Sequence, residues 1–116
     1  MVHLARPVPR RVPALRRVPA VRREAGGAQS GELRITRRTG LPAEIRWHPG
    51  TGEPVELLPP YRLERVELRH SHRARLHGLT AGVRLVTAGW SPLFLVTPAD
   101  LPALALAAAS TRRTAC

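Results

Sequence analysis

Beyond Gly31 apolar and polar residues alternate in short runs. In "ELRIT" (32–36) Leu33 and Ile35 oppose Glu32, Arg34 and Thr36, and in "EIRW" (44–47) Ile45 and Trp47 oppose Glu44 and Arg46. A period of two places successive side chains on opposite faces of a strand, so both runs predict half-buried strands. "HPGTGEP" (48–54) is dense in turn formers and leads into "VELL" (55–58), the pattern of a hairpin with a long loop. After Pro59-Pro60, "RLERVELR" (62–69) places Val66 and Leu68 inward and Arg65, Glu67 and Arg69 outward. "RARLH" (73–77), "GVRLVT" (82–87) and "PLFLVT" (92–97) complete about seven short strands. That spacing predicts a mainly β fold, an antiparallel sandwich or small barrel.

The period changes in "TPADLPALALAAAS". A helix starts there either with Asp100 as N-cap or with Thr97 as cap and Pro98 at the first helical position. Leu101, Leu104, Ala105 and Ala108 share one face, while Leu106 points away from it. No charge interrupts residues 101–109. A helix apolar on all sides is expected to be buried on more than one side or to meet a partner, so Leu101, Leu104 and Leu106 are the candidate interface for self-association or a protein partner.

The first residues follow a third rhythm. "RPVPRRVPALRRVPAVRR" (6–23) repeats every six residues, with Pro7, Pro13 and Pro19 and with the pairs Arg10-Arg11, Arg16-Arg17 and Arg22-Arg23. In polyproline II geometry such a period returns each pair to one azimuth, about 19 Å further along. The six arginines would then form a charged edge able to follow a phosphate backbone. "EAGGAQSGE" (24–32) reads as a flexible joint. The expected organisation is an Arg/Pro-rich disordered tail and joint over 1–31, a small β domain with its helix over 32–110, and a disordered tail over 111–116. The competing explanation of the tail is a solvated segment without a dedicated ligand.

Charge sharpens the picture. All 19 basic residues are arginine, and the formal net charge is +11. GC-rich coding accounts for arginine in place of lysine but not for the sign, since acidic residues can also be written in GC-rich codons. The excess points to an anionic partner, nucleic acid or another polyanion, reached through the tail. The single cysteine, Cys116, excludes an intrachain disulfide and a cysteine-rich zinc site. No apolar run approaches the length of a bilayer span and no secretory h-region is present, so the expectation is a cytoplasmic protein without a transmembrane segment.

Candidate chemistry is sparse. His70 and His72 would leave one face of a strand and could share a zinc ion with His77, but neither Cys nor Asp lies near to complete the ligand set. The only aspartate is Asp100, no serine sits in a nucleophile elbow, and no lysine exists for a Schiff base. No cofactor, catalytic or metal residue is assigned, and the expectation is a non-enzymatic protein. With two Trp, one Tyr and one Phe, a base-stacking platform is poorly supplied, and Trp47, Tyr61 and Trp90 read as core or turn anchors.

"GVRLVTAGWSPLFLVTPADLPALALAAA" (82–109) together with "YRLERVEL" (61–68) resembles the close of small bacterial pleckstrin-homology-like domains, in which a last strand runs through a Pro/Asp cap into a helix that plugs the barrel. The resemblance covers roughly residues 32–110 and rests on pattern. It implies a binding or scaffolding module and transfers no ligand residue. The leading expectation is therefore a non-enzymatic binding module whose basic tail contacts an anionic partner. The alternatives are a nucleic-acid-binding protein that uses tail and strand arginines together, and a structural protein that self-associates through its helix.

Overall fold

The computed structural model describes residues 14–67 and 78–112. Seven antiparallel strands form one sheet: β1 (Ala14–Glu24), β2 (Gly27–Arg37), β3 (Glu44–Pro49), β4 (Val55–Leu57), β5 (Arg62–Val66), β6 (Ala81–Val86) and β7 (Leu93–Val96). The sheet curls into a half-barrel in the order β4-β3-β2-β1-β7-β6-β5. A 3-10 turn (Pro98–Asp100) leads into the single helix, α1 (Leu101–Arg112). The fold is mainly β with one C-terminal helix, as the alternation predicts.

β1 holds the two wings of the sheet together. It pairs with β2 from Ala14↔Arg37 to Glu24↔Gly27, and with β7 at Val21↔Leu95, Arg22↔Phe94 and Arg23↔Leu93. Val18 and Ala20 point from it into the core, where they are 0% and 2% exposed. Leu33, Ile35, Ile45 and Trp47 of β2 and β3 meet Val83, Leu85, Phe94 and Val96 of β6 and β7 across that core. Trp47 and Phe94 pack as a tilted pair with ring centroids 5.0 Å apart.

Six of the expected strands coincide with β2 to β7, whereas "RARLH" (73–77) lies outside the described residues. The correction falls on the tail. Residues 1–13 are also outside the described residues, but 14–31 form β1, a turn at Ala25-Gly26 and the start of β2. A six-residue repeat is commensurate with the three-residue turn of polyproline II and equally with the two-residue period of a strand. Burial of Val18 and Ala20 selects the strand. Pro19 is accommodated because the β7 ladder covers only 21–23, so its missing N–H lies in a stretch with a single neighbouring strand.

Gly31 is no joint either. It sits where β2 crosses β3, and a Cβ there would overlap the carbonyl oxygen of His48 and lie 2.9 Å from Cη2 of Trp47. In β5 the phase is opposite to expectation. Leu63 faces Leu85 and Arg65 faces Val83, while Val66 faces Gly82 on the outer side. Arg65 tolerates the inward phase because β5 is an edge strand and leaves it exposed.

The helix takes the Thr97/Pro98 registration, with Thr97 in extended conformation at the cap. Leu104, Ala107 and Ala108 are buried in the chain's own core and Leu101 packs against it, so the expected interface is mostly internal. Only Leu106 of the three leucines stays exposed, at 58%. The domain also runs past residue 110. Thr111 is buried, its hydroxyl accepting from Tyr61 N–H at 3.0 Å and donating to the Ala108 carbonyl at 2.8 Å, while Ser110 accepts from Ala43 N–H at 3.0 Å.

Candidate functional site

The strand period divides the basic segment between the two faces of the sheet. Arg10 and Arg11 lie outside the described residues. Arg16 and Arg22 share the inward phase with Val18 and Ala20, and mark the two ends of the half-barrel about 20 Å apart by strand rise. Arg16 donates to Asp100 Oδ1 at 2.7 Å, and Thr97 Oγ1 donates to the other oxygen at 2.8 Å. Arg22 makes a two-pronged pair with Glu24, both contacts 3.0 Å, donates to Gln29 at 3.2 Å and lies 5.6 Å over the Trp90 ring. These two arginines are committed to the fold. Among the four described arginines of the expected charged edge, the strand therefore separates an inner pair from an outer pair.

Arg17 and Arg23 take the outward phase. Arg17 stands directly opposite Arg34 of β2, and Arg34 directly opposite Arg46 of β3, whose other neighbour is Glu56 of β4. Three guanidinium-bearing positions thus occupy one rung across three adjacent strands, which are spaced about 4.8 Å apart. Glu32 Oε2 is 2.6 Å from Nε of Arg34 on its own strand and 3.7 Å from Nε of Arg17 on the neighbouring one. Arg46 is exposed and makes no ion pair among the described residues. Like charges directly opposite on a sheet cost stability, so such a rung is a feature that packing alone does not favour.

His48 reports the field of this rung. It pairs with Glu32 in the neighbouring row, and its pKa is lowered below 6.5 first by burial and then by Arg34, with Arg46 and Arg17 acting in the same direction against Glu32. The imidazole is therefore neutral at physiological pH and becomes a fourth cation only in acid.

His70, His72 and His77 lie outside the described residues, among which no group of three or more His, Cys, Asp or Glu is placed to hold a metal ion. No helix among the described residues is long and apolar enough to cross a membrane. Seven of the nineteen arginines and none of the acids lie outside the described residues.

The end of the half-barrel reached by Arg22 carries an open cleft of about 340 Å³ between the β1–β2, β3–β4 and β6–β7 connections, lined among others by Gln29, Trp47, Glu53 and Trp90. Sequence reasoning did not assemble it, since its residues lie far apart along the chain and each is separately explained as an anchor, a turn residue or a solvated charge. Compared with protein-family models, curated proteins and solved structures, the chain finds no match.

Proposed function

We propose that this protein is a non-enzymatic binding module that holds a polyanion against the outer face of β1, β2 and β3. The reading is carried by the Arg17–Arg34–Arg46 rung, which joins an arginine of the basic leader to two from the following strands. Guanidinium groups are suited to phosphate oxygens through their fork of donors, and Arg46 forms no ion pair among the described residues. Of the possible polyanions, nucleic acid is favoured, because leader and strand arginines act from one surface. A binding module is also the class of function that the pleckstrin-homology-like resemblance implies.

The polar groups on the inner face support a non-enzymatic reading. Arg16, Asp100 and Thr97 satisfy one another, as do Arg22, Glu24 and Gln29, and bonds that fix a fold are not free to act on a substrate.

The experiment is fluorescence anisotropy with a labelled DNA duplex of about 20 base pairs at stepwise salt, comparing the full chain with an Arg17→Gln/Arg34→Gln/Arg46→Gln triple variant. Three lost phosphate contacts should flatten the slope of log K against log salt by about 2.7. An Arg62→Gln variant on the far edge should leave that slope nearly unchanged. Equal slopes and affinities for the triple variant and the parent would overturn the reading.

A further inference from the structure

β7 ends at Val96, where Thr97 leads into the 3-10 turn, while β1 runs on beside β2 to Ala14. The sheet therefore has a notch along residues 14–20 of β1, in line with β7 and without a second neighbouring strand among the described residues. Two hydrogen bonds fix which backbone groups face it. Gly50 N–H donates to the Ser30 carbonyl at 2.8 Å, so the even-numbered residues of β2 turn their backbone groups to β3 and the odd-numbered ones to β1. Leu33 and Ile35 stand opposite Val18 and Arg16, so the even-numbered residues of β1 face β2, and Leu15, Arg17 and Pro19 face the notch. From the other side, Leu85 N–H donates to the Pro92 carbonyl at 3.0 Å, which turns Leu93 and Leu95 of β7 towards Arg23 and Val21 in the same phase. Pro19 fits this phase, since its missing N–H belongs to the open side. The notch presents N–H and C=O of Leu15 and Arg17 and the C=O of Pro19, and no hydrogen bond among the described residues reaches them.

We propose that the notch receives an extended acidic peptide segment of a partner protein, added antiparallel to β1 in the line of β7. Backbone donors and acceptors that alternate at strand spacing are matched by another polypeptide strand. Charge selects an acidic one. Arg16 and Arg17 flank the notch, and the two acids that reach them, Asp100 and Glu32, are shared with Thr97 and Arg34. Arginine on an open edge deters a basic or identical strand but not an acidic one. A second copy is disfavoured because self-pairing centred in the notch sets Arg16 or Arg17 opposite its own image, and like charges directly opposite are destabilising. In the antiparallel arrangement the residues opposite Leu15 and Arg17 point their side chains to the outer face and their backbone groups to β1, so the acids of the segment belong at those positions. The notch shares only Arg17 with the outer rung and binds through backbone groups, so failure of either proposal leaves the other standing.

The full chain is titrated with a labelled, end-blocked peptide of alternating Val and Glu, about seven residues long to match the notch. Binding is read by fluorescence anisotropy and by amide exchange in proton–nitrogen correlation spectra. The expected result is saturable binding with slowed exchange of the Leu15 and Arg17 amides. N-methylation of the Glu amides removes the donors that face β1 and should weaken binding about tenfold or more, whereas N-methylation of the Val amides should leave it nearly unchanged. A Val/Lys peptide should not bind, and Leu15→Pro, which removes one notch donor without touching the β1–β2 ladder, should weaken the Val/Glu peptide several-fold. Absence of saturable binding by the Val/Glu peptide would overturn the proposal, and so would saturation that leaves exchange at Leu15 and Arg17 unchanged. Equal affinity of the two methylated peptides would reduce the contact to charge alone. Protection of those two amides that rises with protein concentration in the absence of peptide would put a second copy in the notch instead.

Discussion

Arg16 and Asp100 are separated by 84 positions in the sequence and by 2.7 Å in the fold. The contact ties the first strand to the turn that starts the helix. Asp100 is the more buried partner, its side chain 12% exposed against 53% for Arg16. Removing the arginine therefore leaves a poorly solvated carboxylate with Thr97 as its remaining side-chain donor. Arg16→Ala should cost about 1–2 kcal/mol, reduced from the fully buried case by the exposure of Arg16. Denaturant unfolding of Arg16→Ala, Asp100→Ala and the double variant should show the double losing less than the sum of the singles, and strict additivity would show that the pair is not coupled.

Tyr61 joins three segments. Its hydroxyl donates to the Leu57 carbonyl at 2.6 Å and accepts from Ile45 N–H at 3.1 Å, while its own N–H donates to Thr111. Tyr61→Phe keeps the ring but strands a buried carbonyl and amide, and should destabilise by about 1–3 kcal/mol in thermal or urea unfolding. Burial raises the phenol above its usual pKa of 10.0, outweighing the Ile45 hydrogen bond. With the folded pKa above the unfolded one, the contribution is complete below pH 10 and is lost as pH rises through the folded value. The phenylalanine variant should lack that alkaline loss.

Two glycines of the same hairpin should respond oppositely to alanine. At Gly31 a Cβ meets the His48 carbonyl oxygen, with Pro49 Cα at 2.8 Å, and backbone cannot move aside as a side chain can. Gly31→Ala should cost about 3 kcal/mol, at the upper end of overpacking effects. Gly26 has nothing within 4 Å of its Cβ position, so Gly26→Ala should change the midpoint little. Equal midpoints for the two variants would contradict the close β2–β3 approach.

His48 gives a pH dependence of definite sign. Its folded pKa lies below 6.5, so the unfolded chain binds more protons between the two values. Stability should fall as pH drops from about 6.5 towards the folded value, and His48→Gln should flatten that slope in urea unfolding. Polyanion binding should respond in the opposite direction, strengthening in acid as the imidazolium joins the rung, and should lose this response in the same variant.

Much of the fold was legible because the local signals were unambiguous. Leu33/Ile35 and Ile45/Trp47 each state their period without help from distant residues, whereas the helix start was readable only as a choice between Asp100 and Thr97-Pro98. The leader was not legible, because six is a multiple of both two and three. Only the burial of Val18 and Ala20 in the core that also holds Phe94 and Leu33, decided by tertiary structure, separates strand from polyproline helix. The outer rung required the register, since sequence gives the face of Arg17, Arg34 and Arg46 once each is on a strand but not that they stand opposite one another.

The account depends on β1 being an integral strand, because the rung, the Arg16–Asp100 contact and the cleft all require it. Amide hydrogen exchange of the full chain, followed by mass spectrometry on peptides covering 14–24, measures this directly. The two-sided pairing at 21–23 should show protection comparable to β7, with the one-sided stretch 14–20 somewhat less protected but well above a free peptide. Exchange of the whole segment at free-peptide rates, while β6 and β7 stay protected, would contradict the account.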